Sequence, residues 1–129
     1  MRALLDTHAF LWWATSRGAR VSGIARELIE DADNELMLSV ASVWEIAINV
    51  GSGRLELPGP INDYIPDRLK RHGFSVLSVD APHALRVARL PPIHRDPFDR
   101  LLVAQAQVEG IPIVTSDPAI AQYDIETIW

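Results

Sequence analysis

The feature that most constrains this chain is an alternation. Short apolar runs suited to strands recur between segments of helical period. The runs are "RALLD" (2–6), "ELMLSV" (35–40), "FSVLSV" (74–79) and "IPIVTSD" (111–117), with "YDIETIW" at the end as a candidate fifth. The first gap holds "THAFLWWAT" and "SGIARELIEDAD", the latter with Ile24, Leu28 and Ile29 in helical register and Ser22 as a cap. "ASVWEIAINVGSG" reads as a helix stopped by Gly51 and Gly53. "INDYIPDRLKRHG" is helical, and Pro66 predicts a break or a second start. Asp80 caps "APHALRVARL", and Pro97 opens "FDRLLVAQAQVEG" at the helical position where proline is tolerated. Strand–helix alternation throughout predicts an α/β fold built on a central, mainly parallel sheet of four to five strands flanked by helices. Neither repeat nor linker interrupts the 129 residues, so a single domain, 1–129, is expected.

In open α/β sheets, sites form beyond the carboxyl ends of the strands. Asp6 ends the first strand and Asp117 the fourth; Glu45 lies near the start of the helix after the second, and Asp99 in the first turn of the helix before the fourth. All four carboxylates are therefore expected along one sheet edge. With no Lys or Arg between them they repel one another, and hard divalent cations are what normally hold such a group; Mg²⁺ or Mn²⁺ suits all-oxygen ligation. Each acid taken alone has a simpler reading. Asp6, Asp96 and Asp117 can be helix caps, "SVWE" matches a capping box from Ser42 to Glu45, and Asp99 suits the helix dipole. Capping does not require that they cluster, and the two roles are compatible.

Composition narrows the chemistry. The chain has no cysteine, which excludes disulfides, thiolate metal sites and cysteine nucleophiles. No apolar run is long enough to cross a bilayer, the first residues do not resemble a signal peptide, and a cytoplasmic location is expected. The net charge of −5 argues at first against a nucleic-acid partner, but setting aside Asp6, Glu45, Asp96, Asp99 and Asp117 leaves the rest of the chain neutral. Arg17, Arg20, Arg54, Arg95 and Arg100 are candidates to flank the cleft, although each alone is explained by solvation at the surface. Trp12 and Trp13 diverge by about 100° on a helix, so one is expected to be exposed or packed on a partner. Trp44 is read as core, and Trp129 as packed on the sheet or frayed.

The segments "LLDTHAFLW", "SVWEIAI", "DPFDRLLVAQA" and "VTSD", in that order across nearly the full chain, resemble a PIN-domain ribonuclease, specifically a VapC-type toxin of a toxin–antitoxin pair. The resemblance implies a PIN-like three-layer sandwich. It also implies Mg²⁺-dependent (or Mn²⁺-dependent) hydrolysis of RNA phosphodiesters, with Asp6, Glu45, Asp99 and Asp117 as the catalytic, metal-holding acids. Asp96 matches the extra aspartate of "DPFD" and serves mainly as the cap that orients its neighbours. Thr7, Thr115 and Ser116 are placed to hold a metal-bound water, with backbone capping as the equal alternative. Arg95 and Arg100 are the nearest candidates for substrate contact. His8 and His94 could each contact substrate, with a structural or surface role as the favoured reading. An RNA substrate, a cognate antitoxin and a second copy of the chain are the implied partners.

Three alternatives remain at this point. A phosphoacceptor receiver domain shares the fold and has Asp80 in a suitable place. It wants paired acids after the first strand and a lysine after the last core strand, where this chain has Asp6 alone and "VTSD". A catalytically dead binding protein would have no electrostatic reason to keep four carboxylates together. A metal-dependent DNase is open on chemistry alone.

Overall fold

The structure, a computed structural model, describes residues 1–16 and 19–129. Its strands are β1 (Arg2–Leu5), β2 (Glu35–Ser39), β3 (Ser75–Leu77), β4 (Ile113–Val114) and β5 (Thr127–Ile128). Its helices are α1 (Thr7–Ser16), α2 (Gly23–Glu30), α3 (Val40–Gly51), α4 (Ile61–His72), α5 (Ala81–Val87) and α6 (Pro97–Glu109), followed by a 3-10 turn at Ile120–Gln122. The sheet has the order β3-β2-β1-β4-β5, and every pairing is parallel. Arg2 pairs with Glu35 and Leu5 with Leu38, while Leu4 and Leu5 pair with Ile113 and Val114.

Period-two alternation divides the core. Ala3, Leu5, Leu36 and Leu38 face one side, where Ala9, Phe10, Ala25, Ile29, Tyr64 and Ile65 from α1, α2 and α4 cover them. Leu4, Met37 and Ile113 face the other, under Leu102, Val103 and Ala106 of α6. Both faces are buried, so the strands read as continuous apolar runs rather than as alternating ones. Helix α3 lies across the division, with Ile46 in the first cluster and Ala41 in the second. The chain runs outward from β1 to β2 and β3, then returns across the sheet to β4. That reversal opens a crevice between the ends of β1 and β4.

Two helix boundaries differ from the sequence expectation. Pro66 lies inside α4 without breaking it. The carbonyl it leaves without an amide partner belongs to Asn62, which is exposed to water in the first helical turn. Helix α3 starts earlier than the "SVWE" pattern implies: Ser39 is the cap, its hydroxyl accepting from the Ala41 amide. Ser42 therefore lies within the first turn and Glu45 in the second, and no Ser42–Glu45 capping box forms. The other caps stand as read. Ser22 accepts from the Ala25 amide, and Asp80 caps α5, with His83 Nδ1 accepting from the Asp80 amide.

Trp44 is not core: it is 61% exposed and meets Phe98 edge-on at 5.2 Å. Trp12 and Trp13 are both partly buried against the first cluster, on different sides of α1. Trp12 meets Trp129 edge-on, which packs the last residue of the chain, and the Trp13 indole donates to His72 Nδ1 at 3.3 Å. Two divergent indoles are thus satisfied within one chain.

Candidate active site

Asp6 follows β1 directly and is buried. One carboxylate oxygen accepts from the Ala9 amide at 2.7 Å, capping α1, and the other accepts from the Thr115 hydroxyl. Thr115 stands at the end of β4, so this bond ties together the two strands that flank the crevice. The same hydroxyl accepts from the Asp117 amide at 3.0 Å and sets the turn that brings Asp117 back to the edge. Asp117 in turn accepts from the Ala119 amide at 2.8 Å, leaving its second oxygen for the site. Glu45 enters from α3, and the Thr7 hydroxyl donates to it at 2.7 Å while lying 2.9 Å from the Ser42 hydroxyl. Thr7 and Thr115 thus fix acids of the site. Ser116 is exposed and bonds none of them.

At the start of α6, Asp96 is the cap: one oxygen accepts from the Phe98 amide at 2.8 Å and the Asp99 amide at 3.4 Å. This turns Asp99, one helical turn further on, toward Asp117. Between the two lies His94. Its Nε2 is 3.1 Å from an Asp99 oxygen and 3.0 Å from an Asp117 oxygen. Its Nδ1 accepts from the Asp96 amide at 3.1 Å, so the neutral ring carries its proton on Nε2, aimed at both carboxylates. One ligand atom each from His94, Asp99 and Asp117 lies within 4.8 Å of the others. The sequence reading favoured a structural or surface role for His94 over a substrate contact, and the structure places it between Asp99 and Asp117. Its position two residues before the cap of "DPFD" was the available signal.

The cluster is electrostatically unfavourable when empty of cations. Burial pushes Asp6 above the ordinary carboxylate range, opposed by its bonds to Thr115 and Ala9 and by nearby His8, and Asp117 adds to the rise. Burial also raises Glu45, against the Thr7 bond, with Asp96 and Asp6 pushing further. Asp99 is driven to about 7, first by burial and then by Asp96, with Glu45 and Asp6 adding and His94 opposing. These mutual effects join all five acids into one cluster. Among the described residues, no lysine or arginine forms an ion pair with Asp6, Glu45, Asp99 or Asp117.

The expected arginines fall differently. The Arg100 guanidinium donates to the carbonyls of Val87, Leu90 and Pro91 and to the Tyr123 hydroxyl. Tyr123 also accepts from the His94 amide at 2.8 Å. Arg100 therefore braces the loop that carries His94, and its donors are committed there rather than offered to a substrate. Arg95 is exposed. Arg17 lies outside the described residues.

An oxygen-rich cluster with one imidazole and no internal counter-cation fits a hard divalent ion. The proton of His94 Nε2 already points where positive charge is wanted. Comparison with known proteins gives the family and the fold. The PIN domain family model matches residues 3–126. Ribonuclease VapC22 of Mycobacterium tuberculosis (strain ATCC 25618 / H37Rv) is 33% identical over 114 residues, covering 88% of this chain and 85% of that protein. Ribonuclease VapC16 of the same organism is 50% identical over 58 residues, a match spanning 45% of this chain but only 41% of that relative. Two solved structures share the fold at low identity. VapBC2 from Rickettsia felis, bound to a DNA fragment from its promoter, has a TM-score of 0.73 at 13% identity, covering 98% of this chain and 97% of that one. DNA-bound VapBC from Salmonella typhimurium has a TM-score of 0.72 at 14% identity, covering 98% and 96%. The chain belongs to the PIN-domain family.

Proposed function

We propose that this protein is the toxin of a toxin–antitoxin pair and acts as a Mg²⁺-dependent endoribonuclease. The observation that carries the reading is the set of acids at one end of the sheet, buried Asp6 with part-buried Glu45, Asp99 and Asp117, the last two meeting at His94, with no lysine or arginine among the described residues paired to them. The names of the relatives, ribonucleases VapC22 and VapC16, supply the substrate class, and the solved VapBC complexes supply the kind of partner.

Asp99 and Asp117 would hold the ion, with Glu45 nearby and Asp6 anchoring the crevice, while the His94 Nε2–H bonds the two carboxylates rather than the ion. When bound, Mg²⁺ supplies Lewis-acid stabilisation of phosphate charge and lowers the pKa of a coordinated water. The chain contributes preorganisation. Thr115 and the Ala9 amide fix Asp6, Thr7 fixes Glu45, and Asp96 fixes the start of α6, so little reorganisation remains at the moment of reaction. Asp99, raised to about 7, is protonated in part at neutral pH while the site is empty, and an ion competes with that proton, so affinity for the ion rises with pH through that range.

A homodimer belongs to this reading. Val40, Trp44 and Ile48 recur at four-residue intervals along α3 and are 41%, 61% and 43% exposed. This apolar stripe suits a second copy of the chain, packed beside the helix that carries Glu45.

The test is cleavage of total cellular RNA by the purified protein with Mg²⁺, with Mn²⁺ and with EDTA, using supercoiled DNA as the control substrate. Metal-dependent cutting of RNA by wild type, abolished in Asp6→Asn, supports the assignment. Cutting of DNA but not RNA, or cutting that persists in EDTA, refutes it.

A further inference from the structure

Positive charge is scarce in this acidic chain, and two exposed arginines line one groove. The groove, about 370 Å³, is lined by His8, Trp12, Arg20, Asn49 and Arg54, and Glu56 is the one acid among its lining residues. That volume lies at the lower end of the roughly 300–1,000 Å³ typical of small-ligand clefts. Arg20 and Arg54 are exposed and form no ion pair among the described residues.

The groove adjoins the acidic cluster on two helices. On α1, His8 follows Thr7, the residue bonded to Glu45, and its ring centroid is 5.8 Å from that of Trp12 one turn on. On α3, Asn49 lies one turn beyond Glu45. A polymer held at the acids has this groove as a neighbouring place to rest.

The acids repel an RNA backbone, so a strand needs cationic purchase close by. We propose that this groove binds one nucleotide of single-stranded RNA adjacent to the scissile phosphate. Arg20 and Arg54 hold its backbone phosphate, and the base lies against the His8–Trp12 pair. The proposal rests on the nuclease reading above. Guanidinium groups match phosphate oxygens in geometry as well as charge, and aromatic faces accept any base, so the subsite is indifferent to sequence. A protein partner would leave both guanidinium charges to be paired by acids of its own, whereas every RNA residue brings a phosphate.

The test pairs two measurements on Arg20→Ala/Arg54→Ala, on Arg20→Lys/Arg54→Lys and on wild type. Fluorescence anisotropy with a short, mixed-sequence, labelled single-stranded RNA is followed against KCl in EDTA, and cleavage of total RNA is followed in Mg²⁺. Losing the contact to one phosphate of a single strand lowers the slope of log affinity against log salt by about 0.7, which is the loss expected of the alanine pair. It is also expected to raise KM with little change in kcat, and the lysine pair to keep most of the slope. An alanine pair with the wild-type slope and KM overturns the subsite while leaving the nuclease reading intact, and the groove then becomes a candidate face for a protein partner. Wild type that neither binds nor cuts RNA overturns both.

Discussion

Replacing Asp99 by asparagine should make the metal-free protein more stable while destroying its activity. Asp99 is raised from 3.8 to about 7. A tenfold change in proton affinity is worth about 1.36 kcal/mol, so the ionised carboxylate burdens the native state by about 4 kcal/mol at most. Its side chain is 18% exposed, and solvent and local relaxation bring the expected figure to about 2–4 kcal/mol. Between about pH 4 and pH 7 the native protein binds more protons at this site than the unfolded chain does. The stability of wild type therefore falls as pH rises through that window and is flat above it. Asparagine lacks the titration but keeps an oxygen to accept from His94 Nε2. In EDTA at pH 8, thermal melting of Asp99→Asn should come about 8–15 °C above wild type, at about 4 °C per kcal/mol for a domain of this size. The difference should fade toward pH 4. Saturating Mg²⁺ should narrow it at pH 8, because the ion stabilises wild type and has lost a charged ligand in the variant. A variant no more stable than wild type at pH 8 in EDTA, or a gain independent of pH, would refute the reasoning.

Three further perturbations read other parts of the structure. Thr115→Val removes the hydroxyl that bridges Asp6 and the Asp117 amide; urea unfolding should show a loss of about 1–3 kcal/mol, with RNA cleavage falling alongside and Thr115→Ser retaining most of both. Trp44→Glu places charge on the exposed stripe of α3, so sedimentation velocity should show the mass halved with the far-UV circular dichroism unchanged. Phe10→Ala, at a fully buried ring that meets Phe74 at 6.2 Å, should lower unfolding stability by about 3–5 kcal/mol in a denaturant titration.

The residues that told most in the sequence are those whose chemistry is local. Continuous apolar runs at β1 and β2 mark strands buried on both faces, as in a parallel sheet, before any topology is known, and Asp6 and Asp117 follow their strands closely. Asp96 announces itself as a cap because Pro97 follows it. Three things depended on contacts far apart in the chain. Ser39 outcompeted Ser42 as the α3 cap: its hydroxyl serves the Ala41 amide while also bonding buried Gln105 on α6, a partner 66 residues away. The place of His94 is set by Tyr123, which accepts from the His94 amide and from Arg100 and lies 29 residues beyond His94. Trp44 reads as core from composition, but α3 lies across the division of the core and turns that face outward. Strand ends also ran shorter than the apolar runs, since β4 keeps only Ile113–Val114 of "IPIVTSD" while its remaining residues build the turn to Asp117.

The claim that organises all of this is that the acidic cluster exists to hold a divalent cation. Isothermal titration of Mg²⁺, and separately of Mn²⁺, into wild type and into Asp117→Asn tests it without knowledge of the RNA. Saturable binding by wild type that releases protons near pH 7, weakened at least about tenfold in Asp117→Asn, is the expected result. Wild type that takes up neither ion, or a variant that binds as tightly as wild type, would contradict it.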